Sequence, residues 1–111
     1  MKKVIGVLLP VLLATVAVSE AAVYKGQREF HKECKQCHDN GQEVAATYKR
    51  SSWKKMMKNK GDGLAELHLN NDKAKASWKY FKSKKYQKNS KHLKDFMIEY
   101  AKDSGNVPAC N

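Results

Sequence analysis

Cys34, Cys37 and His38 form a C-K-Q-C-H motif at positions 34–38. The spacing C-x-x-C-H is the attachment signature of a c-type haem. Two cysteines three residues apart on one helical turn can each form a thioether with a haem vinyl group, and the next residue brings an imidazole nitrogen beneath the iron. The motif therefore predicts one covalent haem, attached through Cys34 and Cys37, with His38 as the proximal iron ligand.

The N-terminal segment has the three parts of a secretory signal. Lys2 and Lys3 form its charged start, residues 4–18 its apolar stretch, and residues 19–21 a small-x-small cleavage site. An uncleaved anchor is the alternative, but a spanning helix needs about 20 apolar residues, and this run is shorter. We expect residues 1–21 to be removed on export to the periplasm, leaving one soluble domain at 22–111.

Composition limits the class of protein further. The 111 residues carry 22 Lys and Arg against 11 Asp and Glu, a net charge of +11. This length excludes a multidomain enzyme and a polytopic membrane protein. A domain this small commonly needs a disulfide, a metal or a cofactor to complete its core, which agrees with a prosthetic group.

The same motif residues have other uses. A thioredoxin-like redox pair would require a βαβ context that the sequence lacks. A zinc site would need His38 and His68 beside the two cysteines, and export would also permit a disulfide between Cys34 and Cys37. The export signal favours haem, because c-type haem is attached outside the cytoplasm. Cys110 is then left over, either as a free thiol or for intermolecular pairing.

Helical patterns flank the motif at both ends of the mature chain. Gly26, Phe30 and Cys34 recur every four residues and so share one face of a helix that leads into the motif. Ser90 is the expected N-cap of a last helix, and Gly105 its expected end. The apolar stripe of this last helix consists of Leu93, Phe96, Met97 and Tyr100.

In these features the chain resembles the class I c-type cytochromes. In that family a helix with the pattern G-x-x-x-[FY]-x-x-x-C-x-x-C-H crosses a last helix with L-x-x-[FYW]. Gly26 and Phe30 match the first pattern, and Leu93 with Phe96 matches the second. The resemblance implies an all-α fold of about five short helices around one haem, with crossing terminal helices. It also implies an electron carrier and not an enzyme.

Three further helices are expected between the two ends, and no strand pattern appears. Their expected starts are Ser51 or Ser52, Asp62, and Asn71 or Asp72. Gly61 should end the first of them. Their apolar faces carry Trp53, Met56 and Met57, then Leu64, Leu67 and His68, then Ala74, Trp78 and Phe81. The stretch from Asp39 to Lys49 has weak periodicity and is expected to be a loop.

The sequence offers several candidates for the second axial ligand of the iron. The family usually supplies a methionine shortly before the last helix, but residues 70–90 contain neither Met nor His. We favour His68, which shares an apolar face where an unligated imidazole would be poorly satisfied. Met56 and Met57 are the alternatives, and an open position is the third. An open position would suit a protein that binds or senses a gas or peroxide.

Two residues are candidates for contacts with the haem propionates. Arg50 is one of only two arginines, and its planar guanidinium suits carboxylates. Trp53 can donate from its indole nitrogen, although packing in the core is the simpler role for an aromatic residue at helical spacing.

The basic charge is concentrated near the C-terminus. Residues 73–94 include nine lysines and no acidic residue. Such density steers encounters with acidic redox proteins and makes them sensitive to salt. We therefore expect a monomer that docks transiently on acidic partners, including membrane-bound respiratory complexes. Solubility alone and attraction to anionic lipid are alternative reasons for the charge.

Overall fold

The computed structural model describes residues 20–106, and these residues are all-α. No strand occurs among them, which confirms the predicted class. The helices are α1 (Glu20–Glu33), α2 (Gly41–Ala45), α3 (Arg50–Met56), α4 (Lys58–Leu69), a 3-10 helix (Asp72–Ser77), α5 (Trp78–Phe81) and α6 (Lys84–Glu99). Most of the signal segment and Cys110 lie outside the described residues, so those assignments stay predictions. None of the helices in 20–106 has the length and apolar character needed to span a bilayer.

The first and last helices pack closely together, as the sequence predicts. The buried positions of α1 are Val23, Gly26, Glu29 and Phe30, which share one helical face. A Cβ at Gly26 would overlap the carbonyl oxygen of His92 and lie 2.6 Å from the Cβ of Phe96. Only glycine allows the two backbones to approach this closely, so Gly26 sets the contact between α1 and α6.

The apolar core lies beside this contact. Its most deeply buried large side chains are Trp53, Tyr86, Leu93 and Phe96. Phe30 reaches Phe96 with ring centroids 6.1 Å apart, so the last turn of α1 is joined to the last turn of α6. The core thus contains Leu93, Phe96 and Met97 of the predicted stripe, while Tyr100, just past the end of α6, is partly buried against it.

The last helix begins earlier than predicted. Its N-cap is Ser83, whose hydroxyl accepts a hydrogen bond from the backbone N–H of Tyr86 at 3.2 Å. Ser90 lies buried inside the helix and donates to the carbonyl of Gln87, so its assignment as the cap was wrong. The added turns bring Tyr86 into the core. The helix also ends earlier, at Glu99, and Gly105 lies beyond it with a φ of 80°.

The segment after the motif contains a short helix where a loop was predicted. The side chain of Asn40 caps α2 by accepting from the N–H groups of Gln42 and Glu43. The next helix, α3, begins at Arg50, whose N–H donates to the carboxylate of Asp103 at 2.8 Å. Ser51 and Ser52 lie inside α3, so the predicted serine caps are replaced by a carboxylate distant in sequence.

A left-handed break separates the helical residues of α3 from those that carry His68. Asn59, Lys60 and Gly61 have φ values of 53°, 60° and 80°. The hydroxyl of Tyr86 donates to the carbonyl of Gly61 at 2.7 Å, and a Cβ at Gly61 would overlap that hydroxyl. The predicted end of the first middle helix at Gly61 was wrong, because α3 already ends at Met56. Gly61 instead completes the break inside α4, and its contact with Tyr86 of α6 fixes the direction in which α4 continues.

Replacement of Gly26 tests whether the fold depends on this approach. Gly26→Ala should lower the free energy of unfolding by about 2 kcal/mol, because overpacking costs about 3 kcal/mol and alanine returns about 1 kcal/mol of helix propensity. Gln27→Ala, at the exposed neighbouring position, is the control and should change stability by no more than about 0.5 kcal/mol. Urea unfolding followed by circular dichroism measures both. Equal midpoints for the two variants would contradict the account.

Candidate functional site

A cavity of about 320 Å³ separates the C-x-x-C-H motif from the second half of the fold. On one side it is bounded by the end of α1 and the motif, and on the other by α4, the 3-10 helix and α5. Its lining consists of Glu33, Cys34, Cys37, His38, Leu67, His68, Asn71, Lys73, Ala74, Ser77 and Phe81. The cavity therefore brings together both cysteines and both histidines that the sequence singled out.

The motif continues α1 as a tight turn. The N–H of Cys34 donates to the carbonyl of Phe30 at 2.8 Å, and the N–H of His38 donates to the carbonyl of Cys34 at 2.9 Å. Cys34 is partly buried and Cys37 is exposed. Burial raises the pKa of the Cys34 thiol to about 12, and the charges of Glu29 and Glu33 act in the same direction. Both thiols and the His38 ring thus face one cavity from consecutive parts of a single turn.

The rings of His38 and His68 both line this cavity and lie close to each other. Their centroids are 6.2 Å apart and their planes are inclined at 73°. His38 comes from the motif turn, and His68 comes from the last turn of α4, thirty residues later. The long separation in sequence is closed by the left-handed break at 59–61, which directs α4 toward the motif.

Three contacts hold the side chain and backbone of His68. Its Nδ1 lies 2.8 Å from the carbonyl oxygen of Leu64, and since a carbonyl can only accept, Nδ1 carries the proton. The ring stacks on Phe81 at 4.2 Å between centroids. The indole N–H of Trp78 donates to the His68 carbonyl at 2.7 Å. This arrangement leaves Nε2 as the ring nitrogen that can bind a metal.

The same surroundings favour a neutral imidazole. Burial lowers the pKa of His68, and the nearby ring of His38 adds to that effect, while the hydrogen bond to Leu64 opposes it. A neutral imidazole is the form that coordinates metal ions. The hydrogen bond to Leu64 therefore sets the tautomer that a metal ligand needs, and burial favours the neutral form of His68.

One apolar side chain stands exposed at the edge of the cavity. Leu67, one residue before His68, has 53% of its surface exposed, although it borders a cavity lined by Phe81 and Ala74. An exposed leucine beside a cavity presents apolar surface that a bound apolar group would cover. At this edge, Leu67 would shield a flat hydrophobic molecule in the cavity from water.

The two methionines proposed as alternative ligands lie elsewhere. Met57 is buried in the apolar core, and Met56 is partly buried against it. Neither lines the cavity that contains His38 and His68.

Arg50 and Trp53 also lie away from the cavity lining. The guanidinium of Arg50 approaches the carboxylate of Asp103, with Nε 3.6 Å from Oδ1. The indole of Trp53, 1% exposed, donates to the carbonyl of Ala45 at 2.8 Å. In the structure both residues join helices to their neighbours, and their predicted contacts with propionates stay predictions.

A buried carboxylate lies behind the motif. Glu29, on α1, is 7% exposed and accepts hydrogen bonds from the Tyr80 hydroxyl at 2.6 Å and the Asn89 amide at 3.1 Å. Burial is the main cause that raises the pKa of Tyr80, and the hydrogen bond to Glu29 and its charge add to it. This cluster joins α1, α5 and α6 next to Cys34.

Sequence reasoning missed the residues that hold His68. The spacing of Ala74, Trp78 and Phe81 predicted one helical face, but it did not show that Phe81 stacks on the imidazole or that Trp78 bonds to its carbonyl. Asn71 was expected only as a helix start; it does cap the 3-10 helix, and it also lines the cavity. Helical periodicity identifies a face and leaves its partner unspecified.

The zinc alternative requires at least three ligands around one point. Within residues 20–106, no group of three or more His, Cys, Asp or Glu side chains is placed to hold a metal ion.

The chain gives no significant match to a protein-family model, to a curated protein or to a solved structure.

The Tyr80 cluster predicts a specific pH dependence. Because the pKa of Tyr80 is raised in the folded state, the stability from its neutral hydroxyl is complete below about pH 10, the ordinary value, and is lost as the pH rises above it. Tyr80→Phe should cost about 1–3 kcal/mol at neutral pH, since buried Glu29 loses a donor. The difference in free energy of unfolding between Tyr80→Phe and wild type should then narrow in alkaline solution.

Urea titrations at a series of pH values measure this difference. Tyr24→Phe, at an exposed tyrosine, is the control and should show no such narrowing. A cost of Tyr80→Phe that stays constant as the pH rises above about 10 would contradict the assignment.

Proposed function

We propose that this protein is a one-electron carrier that holds a single haem c, with thioether bonds from Cys34 and Cys37 and with His38 and His68 as the axial ligands. The observation that carries the proposal is that the two imidazole rings lie 6.2 Å apart in the cavity at the C-x-x-C-H motif. The signature motif supplies the identity of the cofactor.

The distance between the rings fits a shared metal. If each ring bound a metal through one nitrogen at about 2.0–2.1 Å, from opposite sides, the two ring centroids would lie roughly 6.3 Å apart. The observed separation of His38 and His68 is 6.2 Å. The hydrogen bond from His68 Nδ1 to Leu64 leaves the correct nitrogen for such a bond and supplies the outer-shell contact that orients metal-bound histidines.

The donor set and the cavity walls fit the rest of the group. Cys34 and Cys37 line the cavity on the same turn as His38, as two thioethers and a proximal ligand require. Leu67 and Phe81 offer apolar surface to a flat macrocycle. When bound, a haem supplies a reversible one-electron change between ferric and ferrous iron.

The residues of the chain then have separate tasks. His38 and His68 would hold the iron of the group, so that no position would be left for a substrate, as the proposed carrier requires. Phe81 stacks on His68 and excludes water from one of its faces. Two imidazole ligands give a lower reduction potential than an imidazole with a thioether. We therefore infer a low potential compared with His/Met carriers.

The same proposal extends to location and partners. A signal at residues 1–21 would deliver the chain to the periplasm, where haem attachment takes place. Residues 73–94, with nine lysines and no acidic residue, would then attract acidic redox proteins, including membrane-bound respiratory complexes, and a monomer would suit brief encounters.

Covalent attachment is tested by mass. Protein expressed with its signal in a host that attaches c-type haem should keep one haem mass after denaturation, because thioethers survive unfolding. Cys34→Ala should lose one thioether and most of the holoprotein. Cys110→Ser, which leaves the motif intact, is the control and should retain the haem. A colourless, stably folded wild-type protein from such a host would contradict the proposal.

The assignment of the distal ligand is tested by the spin state. His68→Ala should convert a low-spin spectrum to a high-spin one and allow carbon monoxide to bind, because an axial ligand is lost. Met56→Leu and Met57→Leu are the matched controls and should stay low-spin.

Two results would overturn that assignment. A low-spin His68→Ala together with a high-spin Met56→Leu or Met57→Leu would move the ligand to that methionine. A wild-type protein that is already high-spin would instead favour a protein that binds or senses a gas or peroxide.

A further inference from the structure

An aromatic ring with two nearby cations lies in the segment that forms one wall of the cavity. Trp78 opens α5 and is partly exposed. The ammonium groups of Lys75 and Lys82 lie 5.6 Å and 5.9 Å from the centroid of its indole ring, within the range of cation–π contacts. We call Lys75, Trp78 and Lys82 the Trp78 patch.

The Trp78 patch connects directly to the proposed ligand. The indole N–H of Trp78 donates to the carbonyl of His68 at 2.7 Å. One turn further along α5, Phe81 stacks on the His68 ring at 4.2 Å. The partly exposed Trp78 is therefore joined to His68 by a single hydrogen bond.

The patch lies in a lysine-rich segment that follows Asp72, the first residue of the 3-10 helix that carries Lys75. It lies within residues 73–94, which contain no acidic residue. Glu33 is the acidic side chain that pairs with this lysine run, through Lys85. Lys75 and Lys82 are exposed and lean on the indole face, so they are partly ordered before any partner arrives, which lowers the entropic cost of binding.

We propose that the Trp78 patch is the surface on which an acidic redox protein docks and exchanges an electron with this chain. Carboxylates of the partner would pair with Lys75 and Lys82 and so bring its redox centre over the indole, next to His68. One electron passes between the two proteins, no bond forms or breaks, and no proton moves. The inference rests on the proposed electron-carrier function and specifies where that function occurs.

The geometry favours a protein surface over a membrane. Residues that enter a bilayer present apolar surface outward, whereas two ammonium groups lie beside the Trp78 ring. Those ammonium groups can pair with carboxylates of a partner without moving away from the ring. Insertion of the indole into lipid would require their displacement.

Charge reversal at matched positions tests the site of exchange. The double variant Lys75→Glu/Lys82→Glu is compared with Lys54→Glu/Lys55→Glu, two exposed lysines on α3 that give the same change in net charge. The reduced holoprotein is mixed with ferricyanide, an anionic oxidant, in a stopped-flow instrument. The first variant should react about tenfold more slowly than the second at low salt, and the difference should shrink as salt rises. A cationic cobalt(III) oxidant should reverse the order.

A second readout does not depend on electron transfer. In a ¹H–¹⁵N spectrum of the holoprotein, titration with a hexaglutamate peptide should shift the indole signal of Trp78 and leave that of buried Trp53 in place. Lys75→Glu/Lys82→Glu should abolish the shift, and Lys54→Glu/Lys55→Glu should preserve it. Vesicles containing anionic phospholipid are tested in parallel by sedimentation.

The outcomes separate this inference from the proposed function. Equal effects of the two double variants in both assays, in a protein that carries haem and is reduced reversibly, would overturn the docking site and leave the carrier intact. Vesicle binding that depends on Lys75 and Lys82, with no effect on ferricyanide or on hexaglutamate, would assign the patch to a membrane instead. Absence of haem would contradict the proposed function itself.

Discussion

The close approach of α1 to α6 at Gly26 is the constraint on which the rest of the structure depends. It places α6 against the helix that leads into the motif. From α6, the hydroxyl of Tyr86 reaches the carbonyl of Gly61 and fixes the left-handed break before the helical part of α4. That break directs His68 toward His38. The contact between the backbones of α1 and α6 thus acts, through Tyr86 and Gly61, on the distance between the His38 and His68 rings.

The cavity lies between the C-x-x-C-H motif and the second half of the fold, which consists of α4, the 3-10 helix and α5. Around it, the structure supplies apolar walls, two thiols and a pair of oriented imidazoles, and it leaves Leu67 exposed at the edge. A domain of this size buries little apolar surface. A covalent haem bound on both axial sides would join the motif to α4 and complete that core, so the proposed cofactor would serve the fold as well as electron transfer.

Much of this was predictable from spacing, and the failures have physical causes. Gly26, Phe30 and the C-x-x-C-H motif predicted the first helix and its close partner, because local period and residue size determine both. The serine caps of α3 failed because a competing cap, the carboxylate of Asp103, lies far away in sequence. Ser90 failed because the helix starts two turns earlier, at the cap Ser83. His68 was favoured from its place on an apolar face, but its contacts with Trp78 and Phe81 depend on tertiary packing that no local pattern encodes.

X-ray absorption at the iron K-edge of the oxidised holoprotein tests the central claim most directly, because it reports the iron's nearest neighbours. With His38 and His68 as axial ligands, the first shell should contain six nitrogens at about 2.0 Å and no sulfur. A sulfur neighbour at about 2.3 Å would show a methionine in place of His68, and a five-coordinate shell would show that His68 does not bind; either result would contradict the account.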